Sequence, residues 1–117
     1  MRPTVLIVDD HAAFRESASA LLEAEGFAVA GEAADGASAI AEAERLRPQI
    51  ILLDIQLPDL DGFIVAERLA NAADPPTVVL ISSREAAAYG PRLAAASARG
   101  FIPKRELTGA LLAAVVE

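Results

Sequence analysis

The chain of 117 residues contains no cysteine and a single histidine, His11. The first absence excludes a disulfide framework, a thiolate metal site and a cysteine nucleophile. The second means that any histidine-based catalytic triad has to use His11. Basic residues are also few: ten against seventeen acidic ones give a net charge of −7. That balance argues against nonspecific binding of nucleic acid or of an anionic membrane by this segment. No apolar run is long enough to span a bilayer, and the N-terminus lacks a signal-peptide pattern, so a cytoplasmic protein is expected. The length fits one domain over residues 1–117 with one core. The end at Val116-Glu117 is abrupt, which suits either an independent domain or one cut from a longer protein.

Apolar residues make up 54% of the chain. Alanine inflates that figure; it forms helices well but buries little area, so the large side chains should sit mostly in strands. Four short apolar runs each end in a residue of chemical use. Thr4 to Val8 ends in Asp9-Asp10, Ile50 to Leu53 in Asp54, Val78 to Ile81 in Ser82, and Gly100 to Ile102 in Pro103-Lys104. Unbroken apolar runs of this length read as strands covered on both faces, as in a parallel sheet between helices. Ligands of open α/β sheets bind just beyond the carboxyl ends of the strands. Three carboxylates, a hydroxyl and an ammonium are thereby expected at one edge of one sheet.

Helical patterns separate these runs. Phe14, Ala18, Leu21 and Leu22 share one helix face, with Asp10 as the expected N-cap and Gly26 as the stop. A weaker strand spans about Phe27 to Glu32. Asp35-Gly36 turns into a helix from Ala37 to Leu46, which Pro48 ends. Pro58-Asp59-Leu60-Asp61-Gly62 leads into a helix ending near Asn71. Gly90-Pro91 breaks any helix begun at Glu85, so the fourth helix is expected to start about Pro91 and to be short. In the last helix Leu107, Ala110, Leu111, Ala114 and Val115 are expected on one face, with Leu112 and Val116 off it and partly exposed, either as a dimer or output-domain contact or through loose packing of a terminal helix. Five alternations of strand and helix imply a doubly wound parallel sheet with right-handed crossovers.

Asp9, Asp10 and Asp54 would lie close together. Like carboxylates raise one another's pKa and weaken the fold unless a cation joins them, and oxygen ligands of this kind suit Mg²⁺. Asp10 also reads simply as a helix cap. A carboxylate can attack phosphorus to give an aspartyl phosphate, and the anionic group then needs the positive charge of Mg²⁺ and Lys104 around it. Ser82 could donate to a phosphoryl oxygen; taken alone it reads as a satisfied strand-end hydroxyl. His11 reads more readily as a surface residue at a helix start than as a chemical group, and Arg45, Arg47 and Arg68 as solvated helix faces.

The acidic pair Asp9-Asp10, the segment Asp54-Ile55-Gln56-Leu57-Pro58-Asp59-Leu60-Asp61-Gly62, Ser82 and Lys104 together resemble a response-regulator receiver domain of two-component signalling over the whole chain. Val8-Asp9-Asp10-His11 followed by Phe14-Arg15 is most similar to receivers that precede LuxR-type helix-turn-helix output domains. The resemblance implies a flavodoxin-like (βα)5 three-layer sandwich with strand order 2-1-3-4-5. It implies Asp54 as the phosphoacceptor, and Asp9, Asp10, Asp54 and the backbone carbonyl of Gln56 as Mg²⁺ ligands. It further implies Lys104 and Ser82 on the phosphoryl group and Phe101 at the switch-aromatic position. Such a chain would be a switch, catalysing only its own phosphoryl transfer and autodephosphorylation. Its partners would be a sensor histidine kinase or phosphotransfer protein, an output domain or target protein controlling transcription, and a second copy in a homodimer.

Three departures stand out. Pro103 precedes Lys104 and Arg105 follows it, so a trans Lys104–Arg105 peptide is expected. Gly90-Pro91 interrupts the usual switch surface. Gln56 and Arg84 occupy positions that tune phosphoryl lifetime. Two other classes compete. An enzyme or cofactor protein on the same fold lacks its marks here: no hydroxyl- and glycine-rich phosphate loop follows the first strand, no Gly-x-Gly occurs, and the aspartates are adjacent where a haloacid-dehalogenase-type phosphatase has Asp-x-Asp. A receiver-like scaffold that acts without phosphate is opposed by the full set Asp9, Asp10, Asp54, Ser82 and Lys104.

Overall fold

The computed structural model describes residues 2–117. Five parallel strands form one sheet in the order β2-β1-β3-β4-β5: β1 Thr4–Val8, β2 Ala28–Ala33, β3 Ile50–Asp54, β4 Thr77–Ser82 and β5 Gly100–Pro103. The helices between and after them are α1 Ala12–Ala24, α2 Gly36–Leu46, α3 Gly62–Ala70, α4 Pro91–Ala95 and α5 Gly109–Val116. This is the flavodoxin-like doubly wound architecture expected, and no cis peptide occurs among the described residues.

The continuous apolar runs supply two cores at once, because successive strand side chains point to opposite faces. Val5, Ile7, Leu52, Val79, Ile81 and Ile102 face α1 and α5, where Ala18, Leu22 and Leu112 meet them. Leu6, Val8, Ile51, Leu53, Val78 and Leu80 face α2 and α3, where Ala39, Val65, Ala66 and Leu69 meet them. The large buried side chains are thus mainly strand residues, and alanine lets the helices approach closely. Among the described residues no helix is long and apolar enough to cross a membrane.

Several boundaries follow local chemistry. Gly26 at φ +101° stops α1 in a conformation that a side chain would strain. Asp35 caps α2 through Ser38 N–H at 2.8 Å. Pro91 opens α4 as its first residue and the helix lasts five residues, preceded by a 3₁₀ turn at Ala86–Ala88. Thr108 caps α5 through Leu111 N–H at 3.0 Å.

Two expectations fail. Asp10 does not cap α1: His11 occupies the N-cap without a side-chain cap bond, and the carboxylate of Asp9, not Asp10, accepts from the His11 N–H at 2.8 Å. An aspartate buried in the site reaches back to the chain two residues on, which leaves Asp10 facing outward. In α5 Leu112 is fully buried while Ala110 and Ala114 are exposed; Val116 is partly exposed as expected, with its other side against the core. Every residue of α5 is apolar or glycine, so helical periodicity cannot choose its inward face. The close approach of Gly109 to Glu25, which accepts from the Gly109 N–H, sets that rotation instead.

Gly62 joins the fold to the site. A Cβ there would lie 2.5 Å from the Asp54 carbonyl oxygen and 2.5 Å from Ile55 Cα. Both are backbone atoms that cannot swing aside, so the start of α3 sits against the end of β3 only because residue 62 has no side chain. Gly62→Ala is expected to destabilise the protein by about 1–3 kcal/mol, as overpacking does, despite alanine's better helix propensity. Denaturant unfolding measures it, and an unchanged midpoint would show that this contact relaxes freely.

Candidate functional site

The order β2-β1-β3 reverses the winding at β1 and β3, and a crevice opens beyond their carboxyl ends. Asp9 follows β1, Asp54 ends β3, Ser82 ends β4 and Lys104 follows β5. Parallel register aligns them, with Asp54 opposite Ile81 and Ser82 opposite Pro103. Asp9, Asp54 and Ser82 are the only buried polar residues among those described.

The Lys104 ammonium reaches from β5 across to both carboxylates. It lies 3.1 Å from Asp54 Oδ2, touches Asp9 Oδ2, and stands 4.8 Å over the Phe14 ring. Asp54 Oδ1 accepts from the Gln56 N–H at 3.1 Å. Asp9 Oδ1 accepts from the backbone and ring of His11, at 2.8 and 3.2 Å. Arg15 fixes the same turn by donating to the Asp9 carbonyl at 2.7 Å. Burial pushes the Asp54 carboxyl above its usual range; the Gln56 N–H and Lys104 pull it back without cancelling that effect, and Asp9 adds repulsion. Burial alone would depress the Lys104 ammonium, but its bonds to Asp9 and Asp54 outweigh it and hold the group above its usual value. The pairing thus favours the lysine's charge fully and compensates the carboxylate's loss of water only in part.

One acidic cluster unites Asp9, Asp10, His11 and Asp54, with one ligand atom from each within 4.8 Å of the others. Asp9 Oδ2 is buried and, although it touches Lys104, receives no hydrogen bond of good geometry. Three carboxylates face one ammonium there. A hard divalent cation such as Mg²⁺ fits the surplus charge and the all-oxygen carboxylate donors. His11 lies at the rim with its side chain 70% exposed, and its Nδ1 is 3.1 Å from Asp10 Oδ1.

Residues 5–116 match the family described as the response regulator receiver domain. The chain belongs to that family. It is a receiver domain of two-component response regulators. Over 110 residues (94% of this chain and 54% of the relative) it is 29% identical to the DNA-binding transcriptional activator EvgA of Escherichia coli. It is 40% identical over 108 residues, 90% of this chain and 27% of the relative, to a protein-glutamate methylesterase/protein-glutamine glutaminase of Alkalilimnicola ehrlichii. The signal receiver domain of the response regulator NarL from Mycobacterium tuberculosis superimposes with a TM-score of 0.85 at 32% identity, covering 97% of this chain and 96% of that one. The receiver chain spans about half the length or less of the curated relatives it matches.

The remaining residues singled out from sequence fall less neatly. Ser82 Oγ lies 2.5 Å from the Tyr89 hydroxyl and 3.0 Å from the Arg84 N–H, rather than on Asp54. Phe101 is half-buried with its ring 6.2 Å from that of Tyr89. Gln56 and Arg84 are exposed at the mouth, and Arg45, Arg47 and Arg68 are exposed elsewhere. Sequence reasoning missed two residues. Tyr89 is the chain's one tyrosine, set in an alanine-rich stretch seven residues after Ser82, and that isolation was its signal. Asp59, in the loop after β3, accepts from the N–H groups of Gly36 and Ala37 at 2.7 and 3.0 Å and so caps α2 from outside. Those bonds hold its carboxyl below the usual range.

The Asp54 shift carries a sign. A carboxyl whose folded pKa lies above its unfolded value makes the native state bind the proton more tightly, so stability falls as pH rises through that interval. Asp54→Asn is expected to raise the melting temperature of the metal-free receiver at neutral pH by a few degrees, with the gain shrinking in acid. A lower melting temperature at neutral pH would mean that Asp54 is needed more as Lys104's partner than it is penalised by burial.

Proposed function

We propose that this receiver is a phosphorylation-dependent switch whose acceptor is Asp54. The carrying observation is a carboxylate at the end of a central strand, 3% exposed and 3.1 Å from a lysine ammonium, beside a second buried carboxylate. A structural aspartate gains nothing from such a place, whereas a nucleophile for phosphorus needs a desolvated oxygen with positive charge beyond it.

An Asp54 oxygen attacks the phosphorus of a phosphohistidine on a sensor kinase or phosphotransfer protein. The P–N bond breaks as the O–P bond forms, and the imidazole leaves with the bonding electron pair. Lys104 faces the transferred group and balances its charge. Asp9, Asp10, Asp54 and the Gln56 backbone carbonyl are the groups to hold Mg²⁺, which when bound supplies further positive charge to the phosphoryl oxygens. Phosphorylation replaces the single charge of the ionised carboxylate by about two on the phosphoryl group, a net gain of about one negative charge, and the ends of β4 and β5 carry the response through Ser82 and Phe101. The output is control of transcription through an attached domain or a separate target, as the name of the EvgA relative suggests, with a homodimer as a further partner. The segment catalyses only its own phosphoryl transfer and loss.

Intact-mass analysis after incubation with Mg²⁺ and acetyl phosphate tests this. One phosphoryl group should add to the parent chain and none to Asp54→Asn. Labelling of that variant would place the acceptor elsewhere, and no labelling from acetyl phosphate or from a phosphorylated kinase would favour a scaffold that works without phosphate. Mg²⁺ should also raise the melting temperature, because it relieves repulsion in the native state only; the expected gain is about 2.7 kcal/mol at ~100 times the dissociation constant. A flat response across a concentration series would count against the acidic site as a metal site.

A further inference from the structure

Tyr89 joins α3, β5 and the end of β4 through a single side chain. Its ring is half-buried although residues 83–88 before it are all exposed. It meets Phe63 of α3 edge to face at 5.8 Å and Phe101 of β5 at 6.2 Å. Its hydroxyl lies 2.5 Å from Ser82 Oγ at the end of β4. Arg92 of α4 closes the group, 4.3 Å over the Phe63 ring and 2.6 Å from Asp61.

A serine hydroxyl has one proton and two lone pairs. Ser82 Oγ is fully buried, accepts from the Arg84 N–H at 3.0 Å and shares a hydrogen bond with the Tyr89 hydroxyl in which either oxygen can donate, so the pair holds Oγ on the Tyr89 side. To donate to a phosphoryl oxygen on Asp54, Ser82 Oγ has to turn away from Tyr89. The segment that carries Tyr89 is the one best able to respond. It holds only a 3₁₀ turn and a five-residue helix, and no residue from 83 to 100 is fully buried. Such stretches open at the lowest cost. A cleft of about 400 Å³ lined by Gln56, Leu57, Asp61, Arg84, Tyr89 and Arg92 gives the ring somewhere to go.

The geometry points to Tyr89 as a positioning residue that holds Ser82 off the acceptor until phosphorylation, and whose release from Ser82 frees the segment 86–95. This rests on Asp54 as the phosphoacceptor. Turning of Ser82 Oγ from the tyrosine oxygen to a phosphoryl oxygen removes the one polar bond that pins the ring. The ring then leaves its place between Phe63 and Phe101, and the surface of α4 changes with it. Coupling is reciprocal, so a target that binds the released segment strengthens phosphoryl binding by the same factor.

Beryllofluoride with Mg²⁺, a phosphoryl stand-in, provides the test by calorimetric titration of the parent, Tyr89→Phe, Ser82→Ala and the double variant. Tyr89→Phe keeps the ring contacts and removes only the hydroxyl. It should bind about 2- to 10-fold more tightly, the worth of one neutral hydrogen bond, and should have no effect in the Ser82→Ala background. A purely structural role would act equally in both backgrounds. The chain has one tyrosine and no tryptophan, so the parent's tyrosine emission reports this ring alone and should change on saturation. Binding by the parent with unchanged emission, or with equal constants for Tyr89→Phe, overturns the role of Tyr89 and leaves Asp54 standing. No binding by the parent overturns both.

Discussion

The Lys104 ammonium between two buried carboxylates is the contact on which the site depends. Asp9 and Asp54 end neighbouring strands, and nothing in the local chain keeps them from repelling each other. The cation that joins them arrives from β5, two strands beyond β3, and reaches them only because β5 pairs with β4 in a register that sets Pro103 opposite Ser82. Loss of the ammonium would leave two buried carboxylates facing each other without a cation, at a cost of about 3–5 kcal/mol, so the far side of the sheet and the acidic crevice are energetically one object. The position of β5 is therefore a condition for Asp54 to be ionised and desolvated together.

That arrangement is left short of positive charge. Three carboxylates face one ammonium, Asp9 Oδ2 lacks a well-formed hydrogen bond, and burial keeps the Asp54 carboxyl above its usual range. Sites that must take up a ligand or a group are commonly less stable than they could be. Here the imbalance is a standing driving force for adding a cation. The rigid side of the site is built by β1, β3 and Gly62, where backbone meets backbone. The yielding side lies beyond β4, where Ser82, Tyr89 and a short proline-initiated helix meet through one hydroxyl contact and edge-on rings. A change in charge at Asp54 has one soft direction in which to spread.

Much of this was legible before any coordinates. The apolar runs at 4–8, 50–53 and 78–81 admit no half-exposed strand, so a parallel sheet covered on both faces was the reading they permitted, and each polar terminus then had to lie at the ligand edge. Gly26, Pro91 and Asp35 marked ends and starts because backbone conformation and capping are local properties. The failures share a cause. The buried face of α5 could not be read from eight residues without a polar one among them. The N-cap of α1 is His11, one residue later than Asp10, and Asp9, drawn into the site, takes the His11 N–H. Asp59 caps α2 from another loop, and Tyr89 meets Ser82 across a turn; side-chain bonds between segments leave no periodic trace.

By itself the sequence determined the element order, the two-sided cores and the identity of the residues at the strand ends, since these follow from hydrophobic period, turn chemistry and the direction of the chain. The tertiary structure alone decided which oxygen each donor serves, that Lys104 contacts both Asp9 and Asp54, and that Ser82 turns toward Tyr89. Those choices depend on ångström-scale separations between segments far apart in the chain, and hydrogen bonds and desolvation change steeply over such distances while composition and spacing do not register them.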